Sequence, residues 1–332
     1  YKRQVAGFSA RRRRQLEAIV LEGQETSSGT GWRGGLAVAR GPGARLSDAF
    51  HAMTAQVTAP TLSAEHEMAA MDGRTVLGSA PSPGLTPGGE DGLGLALALP
   101  LLLSHEGLED VGAAAIEQAV ERVGVLSLAG LHSRAGAGVA ELDARVELAG
   151  VSDAASGAAI VRAALDRIVA EASASAETGA HPILLLRCTW GPNPGQAPLP
   201  PELAVGAIDH ELTRRGLRER VSLVVASESI SDPHSMFVLL QLGADAVVPT
   251  LLGEEVLELA ERRRRPPVDT LEHGMSAIAK ALFIMYGRIA TSELAAGRGG
   301  RRLCAIGLDA EIGRRIGVES LLGEGWGLER VW

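Results

Sequence analysis

Two kinds of apolar pattern run along the chain, and one gives way to the other near residue 94. In the first part, Leu16, Ile19 and Val20 recur at helical spacing within RRRRQLEAIVL, so 11–21 reads as an amphipathic helix with a basic face. A glycine-rich stretch at 29–43 follows, interrupted by a short apolar run at 36–39. Phe50, Met53 and Val57 share one face of a second predicted helix over 47–57. From 73 to 94 the chain is dense in Gly, Pro and Ser, and a boundary, if one divides the chain, lies there. The reading is therefore a helical and irregular N-terminal part over 1–90 and a body over 91–332.

Beyond that point the pattern becomes regular. The run 95–103 is strand-like, and Ser104 is placed to cap a helix start over 104–111, with Glu106 and Glu109 in its first turns. Helices are predicted at 114–122, 161–174 (ending before Gly179), 203–215 and 233–242. Strands are predicted at 124–128, 182–186, 221–226 and, after a turn at Gly243, 246–248. From Leu251 onwards the pattern is mostly helical. Strands and helices alternating at roughly 25–40 residues are the mark of parallel βα units. The expected fold is α/β and TIM-barrel-like, irregular or incomplete, with extra helices at both ends.

Composition narrows the function. The 332 residues are 46% hydrophobic and 22% charged, enough for a large core without staples. A net charge of −8 offers no positive field to phosphate backbones or anionic lipid, and 3% aromatic content leaves few rings for base stacking. Neither a nucleic-acid nor a membrane partner is expected. Cys188 and Cys304 cannot build a disulfide framework, an iron–sulfur cluster or a Cys-rich zinc site. The longest apolar run, 93–103, is too short for a bilayer and contains Pro100. With no charged-then-apolar leader in view, a cytoplasmic location is expected.

Few residues stand out as chemistry. Eight histidines form no HxH, HxxxH or Cys/His cluster, so no metal site is expected. His210, between Asp209 and Glu211, could transfer protons; a solvated helix face explains it more simply. His234 opens a helix after a strand, the active-site rim of a barrel, with a structural role as the plainer reading. Cys188 lies at another strand end, where Arg187 could lower its pKa, although a small buried thiol is the ordinary state. The 191–195 turn, GPNPG, lacks a phosphate-cradling pattern. The GRGGRR run at 297–302 could hold an anion, with a solvated loop as the default. The Arg runs 11–14 and 262–265 fit exposed helix faces.

Read as strings, several segments resemble the central domain of the glutamate synthase large subunit. QVAGFS at 4–9 is similar to Q-A-F-G-Y-T, and AQVTAP at 55–60 through Glu67 to A-Q-V-T-N-P-P-I-D-P-x-R-E. PLLLSHEGL at 100–108 resembles S-P-I-L-S-x-E-E-L, and LGADAV at 242–247 with Pro249 resembles G-Y-G-A-D-A-V-x-P. The strand at 183–186 and the segment from Leu199-Pro200 to Leu223-Val224 follow the family's order of strand, helix and strand, and 280–308 lies on its K-G-L-L-K…E-A-I-G-L segment without gaps. The series covers nearly the whole chain.

The resemblance implies an α/β, barrel-related body without its own redox centre. Such a body links a glutaminase-type amidotransferase and an FMN-binding synthase domain or subunit and helps channel ammonia between them. FMN and an iron–sulfur cluster would then sit on those partners, with no cofactor bound by this chain alone. By resemblance, Gln56, Val57, Thr58 and Glu67 belong to the channel or its interface. Polar positions depart from the pattern: Ala59 replaces Asn, Ser63 Asp, His66 Arg, Arg301 Gln and Cys304 Glu, while apolar, Gly and Pro positions persist. The alternative is a stand-alone diverged barrel whose ligand rim joins Cys188, His234, Arg298 and Arg301. No catalytic residue is assigned, and as a glutamate synthase module the chain is not expected to be active alone.

Overall fold

A computed structural model describes residues 10–22, 45–53, 70–78, 94–105 and 112–330. Its elements, in chain order, are helix α1 (Ala10–Glu22), strands β1 (Phe50–Ala52), β2 (Thr75–Leu77), β3 (Leu95–Leu97) and β4 (Leu102–Leu103), then α2 (Gly112–Val123). There follow β5 (Leu126–Ser127), α3 (Leu128–Ala135), β6 (Val139–Asp143), β7 (Arg145–Glu147), α4 (Ala154–Thr178), β8 (Ile183–Cys188) and β9 (Gln196–Pro198). Next come α5 (Pro201–Arg214), β10 (Ser222–Ser227), α6 (Pro233–Leu242), β11 (Ala246–Pro249), α7 (Leu252–Arg263) and α8 (Pro267–Arg288). The last three are β12 (Leu303–Leu308), α9 (Ala310–Ile316) and β13 (Ser320–Trp326).

The centre is a parallel sheet in the order β11-β10-β8-β6. A parallel bridge between Leu101 and Val247 joins β11 to β4, which pairs in parallel with β5. The six parallel strands thus form an arc, β5-β4-β11-β10-β8-β6, in which every chain neighbour is a spatial neighbour except β5 and β6. No closed barrel forms among the described residues. Along the gap, the inner face of β6 is charged rather than apolar: Arg187 donates to Glu141 at 2.9 Å, and His132 stands 3.3 Å from it.

Alternation along the strands divides the core in two. Ile183, Leu185, Val224, Ala226, Ala246 and Val248 point into the arc, where Leu77 and Leu97 of the β2–β3 hairpin join them. Leu184, Leu186, Leu223, Val225 and Val247 point outward into the helical layer. Strands buried on both faces read as continuous apolar runs, which is why LLL and LVVA were legible as strands. Local caps fix the helices. Asp153 accepts from Ser156 N at 2.7 Å to start α4, and Asp232 accepts from Ser235 N at 2.8 Å to start α6, with Pro233 next.

Several expectations change. The helix over 47–57 is instead a 3₁₀ turn, Leu46–Ala49, followed by β1, antiparallel to β12 with Phe50 opposite Ala305. Phe50 and Ala52 are buried and His51 less so, a period of two that only the distant partner β12 reveals. The run 95–103 splits at Pro100 into β3, antiparallel to β2, and β4, parallel to β5. The irregular stretch 73–94 contains β2. Ser104 and His105 are not helical, and 106–111 lie outside the described residues. The last third is not all helix, because β12 and β13 pair in parallel there.

Candidate functional site at the two edges of the sheet

Parallel βα units give the sheet two distinct edges, one where strands end and one where they begin. The first carries Cys188, the last residue of β8. Its strand-mates Leu184 and Leu186 lie in the outer cluster, so Cys188 faces the helices and not the arc interior. Burial pushes its thiol well above the usual range, and the carboxylates of Glu202 and Glu228 push it further. The lowering by Arg187 considered from sequence does not occur, since alternation turns that guanidinium to the opposite face, against Glu141.

His234, in the first turn of α6, places Nε2 3.0 Å from the carbonyl of Ser47, which can only accept, so the ring donates there. Burial holds its pKa below the usual value despite nearby Asp232. Arg45 reaches the same corner from the N-terminal part. It donates through Nη1 to Ser229 O and Ser231 Oγ, both at 2.7 Å, and through Nη2 to Asp232 Oδ2 at 2.5 Å. Burial opposes its charge, yet Asp232 and Asp48 outweigh it and raise the pKa. Beneath it, Glu202 is 3% exposed, and burial raises its pKa. These bonds tie the 45–53 segment down, although Arg45 Nε and His234 Nδ1 are buried without a hydrogen-bond partner among the described residues.

The opposite edge, where β10 and β11 begin, holds a chain of six charges. Arg218 donates from Nε to Asp209 at 2.6 Å and from Nη2 to Asp245 at 2.8 Å. Arg301 donates to the second oxygen of Asp209 at 2.5 Å, and Arg298 to the second oxygen of Asp245 at 2.6 Å. Arg298 also reaches Glu219 at 2.8 Å, while Asp245 accepts from Leu223 N at 2.7 Å. Burial disfavours charge on both Arg218 and Arg298, but Asp245 leads the carboxylates that hold them protonated. Gly243 makes room: its φ is +122°, and a Cβ there would lie 2.2 Å from Asp209.

Arg298 and Arg301 of the 298–302 run are thus taken up by carboxylates of the fold, while Arg302 donates to the Ile289 carbonyl. Likewise Asp209 is not on a solvated helix face, being 3% exposed. The four rim residues do not converge. Cys188 and His234 lie at the edge where strands end. Arg298 and Arg301 lie where they begin, because the loop carrying them packs on the C-terminus of α6, with Gly299 N donating to Leu240 O at 3.0 Å. Each helix runs back along its strand, so the ten residues of α6 alone separate the pairs by roughly 15 Å.

Gln56, Val57, Thr58 and Glu67 lie outside the described residues, but their flanks do not. Met53 N donates to Arg302 O at 2.9 Å; Asp72 N donates to Ser292 O at 2.8 Å and Asp72 O accepts from Leu294 N at 2.9 Å. Both flanks are thus fastened to one loop, 289–302, at the edge where strands begin. Beside it is a cleft of about 280 Å³, lined by Arg74, Val76, Glu219, Ser222, Leu294 and Arg298 among others. Met53 and Val76 expose 55% and 59% of their surface here. Sequence reasoning missed this arrangement. The one available signal was an acidic residue, Asp245, between a Gly turn and an apolar strand, where a solvated carboxylate is out of place. Among the described residues no group of His, Cys, Asp and Glu could hold a metal, and no helix is long and apolar enough to cross a membrane.

Comparison with known proteins decides the family. The profile described as the glutamate synthase central domain matches residues 2–309. The chain belongs to the glutamate synthase central-domain family. Ferredoxin-dependent glutamate synthase 2 of Synechocystis is 32% identical over 191 residues, covering 52% of this chain and 12% of that protein. The NADPH glutamate synthase large chain of Azospirillum brasilense is 33% identical over 179 residues, 52% of this chain and 11% of that one. The chain thus spans about a tenth of the curated relatives it matches. Among solved structures, a mandelate oxidase variant with benzaldehyde aligns over 88% of this chain and 97% of its own at 14% identity, with a TM-score of 0.48.

Proposed function

We propose that this glutamate synthase central-domain chain links a glutaminase-type amidotransferase and an FMN-binding synthase domain or subunit. Its work is to help wall the route that carries ammonia between them, in the cytoplasm, in glutamate biosynthesis or a related amidotransfer. The observation that carries this reading is the fastening of both flanks of 56–67 to the single loop 289–302, beside exposed Met53 and Val76. A wall segment must be held at both ends, and an exposed apolar residue next to it suits a docking neighbour. Ammonia is mostly protonated at neutral pH, so only a dry, walled route keeps it nucleophilic. The chain contributes position and shape; FMN and the iron–sulfur cluster belong to the partners.

The test supplies amide-¹⁵N glutamine and excess unlabelled ammonium to the amidotransferase and FMN-binding synthase domains of a glutamate synthase, with and without this chain. The expected result is glutamate that keeps the label only when the chain is present. Equal dilution in both arms would reject the reading.

A further inference from the structure

We propose that Arg301 is a positioning residue, and that its bond to Asp209 sets the loop 289–302 that fastens both flanks of 54–69. The inference rests on the function proposed above, and its physical basis is the loop itself. Two non-glycine residues at its ends, Ala290 and Arg301, have φ of +54° and +45°. L-residues keep such conformations only where surrounding contacts over-determine them. At the Ala290 end those contacts are main-chain: Ala290 N donates to Gly287 O at 3.0 Å and Thr291 N to Tyr286 O at 3.0 Å. In the middle, Gly297 packs against the Tyr286 ring, where a Cβ would stand 2.3 Å from it.

Fully buried Gln241 binds the loop from below. Its Nε2 donates to Gly297 O at 3.0 Å, its Oε1 accepts from Arg302 N at 3.2 Å, and its carbonyl accepts from Arg301 N at 3.1 Å. Arg302 closes the loop by donating to Ile289 O at 2.5 Å. Among the described residues the left-handed residue itself is held by one side-chain charge pair, Arg301 to Asp209 at 2.5 Å, beside a longer bond from Arg301 Nε to Ile316 O at 3.3 Å. Arg302, whose carbonyl receives Met53 N, is the next residue in the chain. A change at Arg301 is thus one peptide from the Met53 anchor and reaches the Asp72 anchor through the closed loop. Arg298, by contrast, ties the same loop to Asp245 and Glu219 three residues away from that junction.

The experiment compares the unaltered chain with Arg301→Gln, Arg301→Lys and Arg298→Gln by amide hydrogen exchange. In Arg301→Gln, the amides of Met53, Asp72, Leu294 and Gly299 should exchange about tenfold faster, the loss of one charge-assisted bond, with those of β8 and β10 unchanged. Arg301→Lys should restore part of the protection. Arg298→Gln should leave Met53 unchanged. Faster exchange confined to 299–302, or spread equally over β8 and β10, would overturn the proposal; so would a Met53 amide as fast in Arg298→Gln as in Arg301→Gln.

The same variants then enter the isotope experiment. If the unaltered chain preserves label and Arg301→Gln loses it while ammonia-dependent glutamate formation holds, positioning is supported. If Arg301→Gln preserves label as well as the unaltered chain, positioning is wrong though the module's function stands. If the unaltered chain fails, the functional reading falls by itself.

Discussion

The two edges of the parallel sheet are built from the same currency of buried charge but spend it differently. Where the strands end, Arg45, Asp232 and His234 bind one incoming segment to the first turn of α6, and Cys188 and Glu202 lie sealed beneath. Where the strands begin, Asp209, Arg218, Asp245, Arg298 and Arg301 form a continuous chain that ends on an exposed loop beside a cleft. In an ordinary βα barrel the strand ends carry the chemistry. Here, among the described residues, Cys188, Glu202 and Arg45, which pairs with Asp232, are buried at that edge, and a cleft lies at the opposite one. The difference is one of use: buried charge at the strand ends anchors a single segment, whereas at the strand starts it is carried out to a loop beside a cleft.

The largest effect should come from breaking the charged chain. Asp209→Ala leaves Arg218 without one partner in a buried place and frees Arg301, which should cost about 3–5 kcal/mol. Urea denaturation would show it as a lower midpoint. Arg45→Met, at the sealed edge, should cost less, about 2 kcal/mol, because Asp232 keeps its capping bond to Ser235. Were Arg45→Met the more damaging, the strand-end edge would be the principal fastening and the comparison would reverse.

Thiol chemistry separates burial from reactivity. Cys188 is 0% exposed, with a raised pKa, whereas Cys304 is partly exposed on β12. A disulfide reagent should label Cys304 in the folded protein and Cys188 only after unfolding, read by peptide mass. Early labelling of Cys188 would mean that the strand-end edge opens.

The smallest effect serves as a reference away from both edges. Glu311 accepts from Arg162 at 2.7 Å, and that hydrogen bond leads the effects that lower its pKa from 4.5 to about 2. A carboxylate with a depressed folded-state pKa stabilises above its unfolded value and loses that contribution as pH falls through the folded one. Glu311 should therefore contribute about 1 kcal/mol above pH 4.5, after allowance for solvent screening, and lose it towards pH 2. Glu311→Gln should flatten that part of the acid-stability curve. His234 acts in the same direction nearer neutrality: its pKa is lowered by burial, so stability falls as pH drops below 6.5 and the unfolded chain takes up the proton.

The body of the fold was legible because its strands are buried on both faces and its helices carry their own caps. The 233–242 helix was read to the residue from Asp-Pro at one end and Gly243 at the other. Elements decided by distant partners were not legible. β1 exists because β12 is there to pair with it, and β6, VAELD, is an edge strand with charges on its inner face, so neither strand carries an apolar run. The site was harder still. Composition marked the arginines of 297–302 but not the aspartates that take them up, which lie in α5 and before β11, 53 to 92 residues away. Spacing along the chain holds no record of such pairings. The family resemblance located 56–67, and only the fold showed that both its flanks meet one loop.

The most direct test of the account is hydroxyl-radical footprinting of this chain with and without the amidotransferase and FMN-binding synthase domains of a glutamate synthase. Protection should appear at the exposed side chains of Met53 and Val76, with the surface around Asp143, Arg145 and Arg187 unchanged. Protection concentrated at Asp143, Arg145 and Arg187, with Met53 and Val76 still reactive, would contradict it.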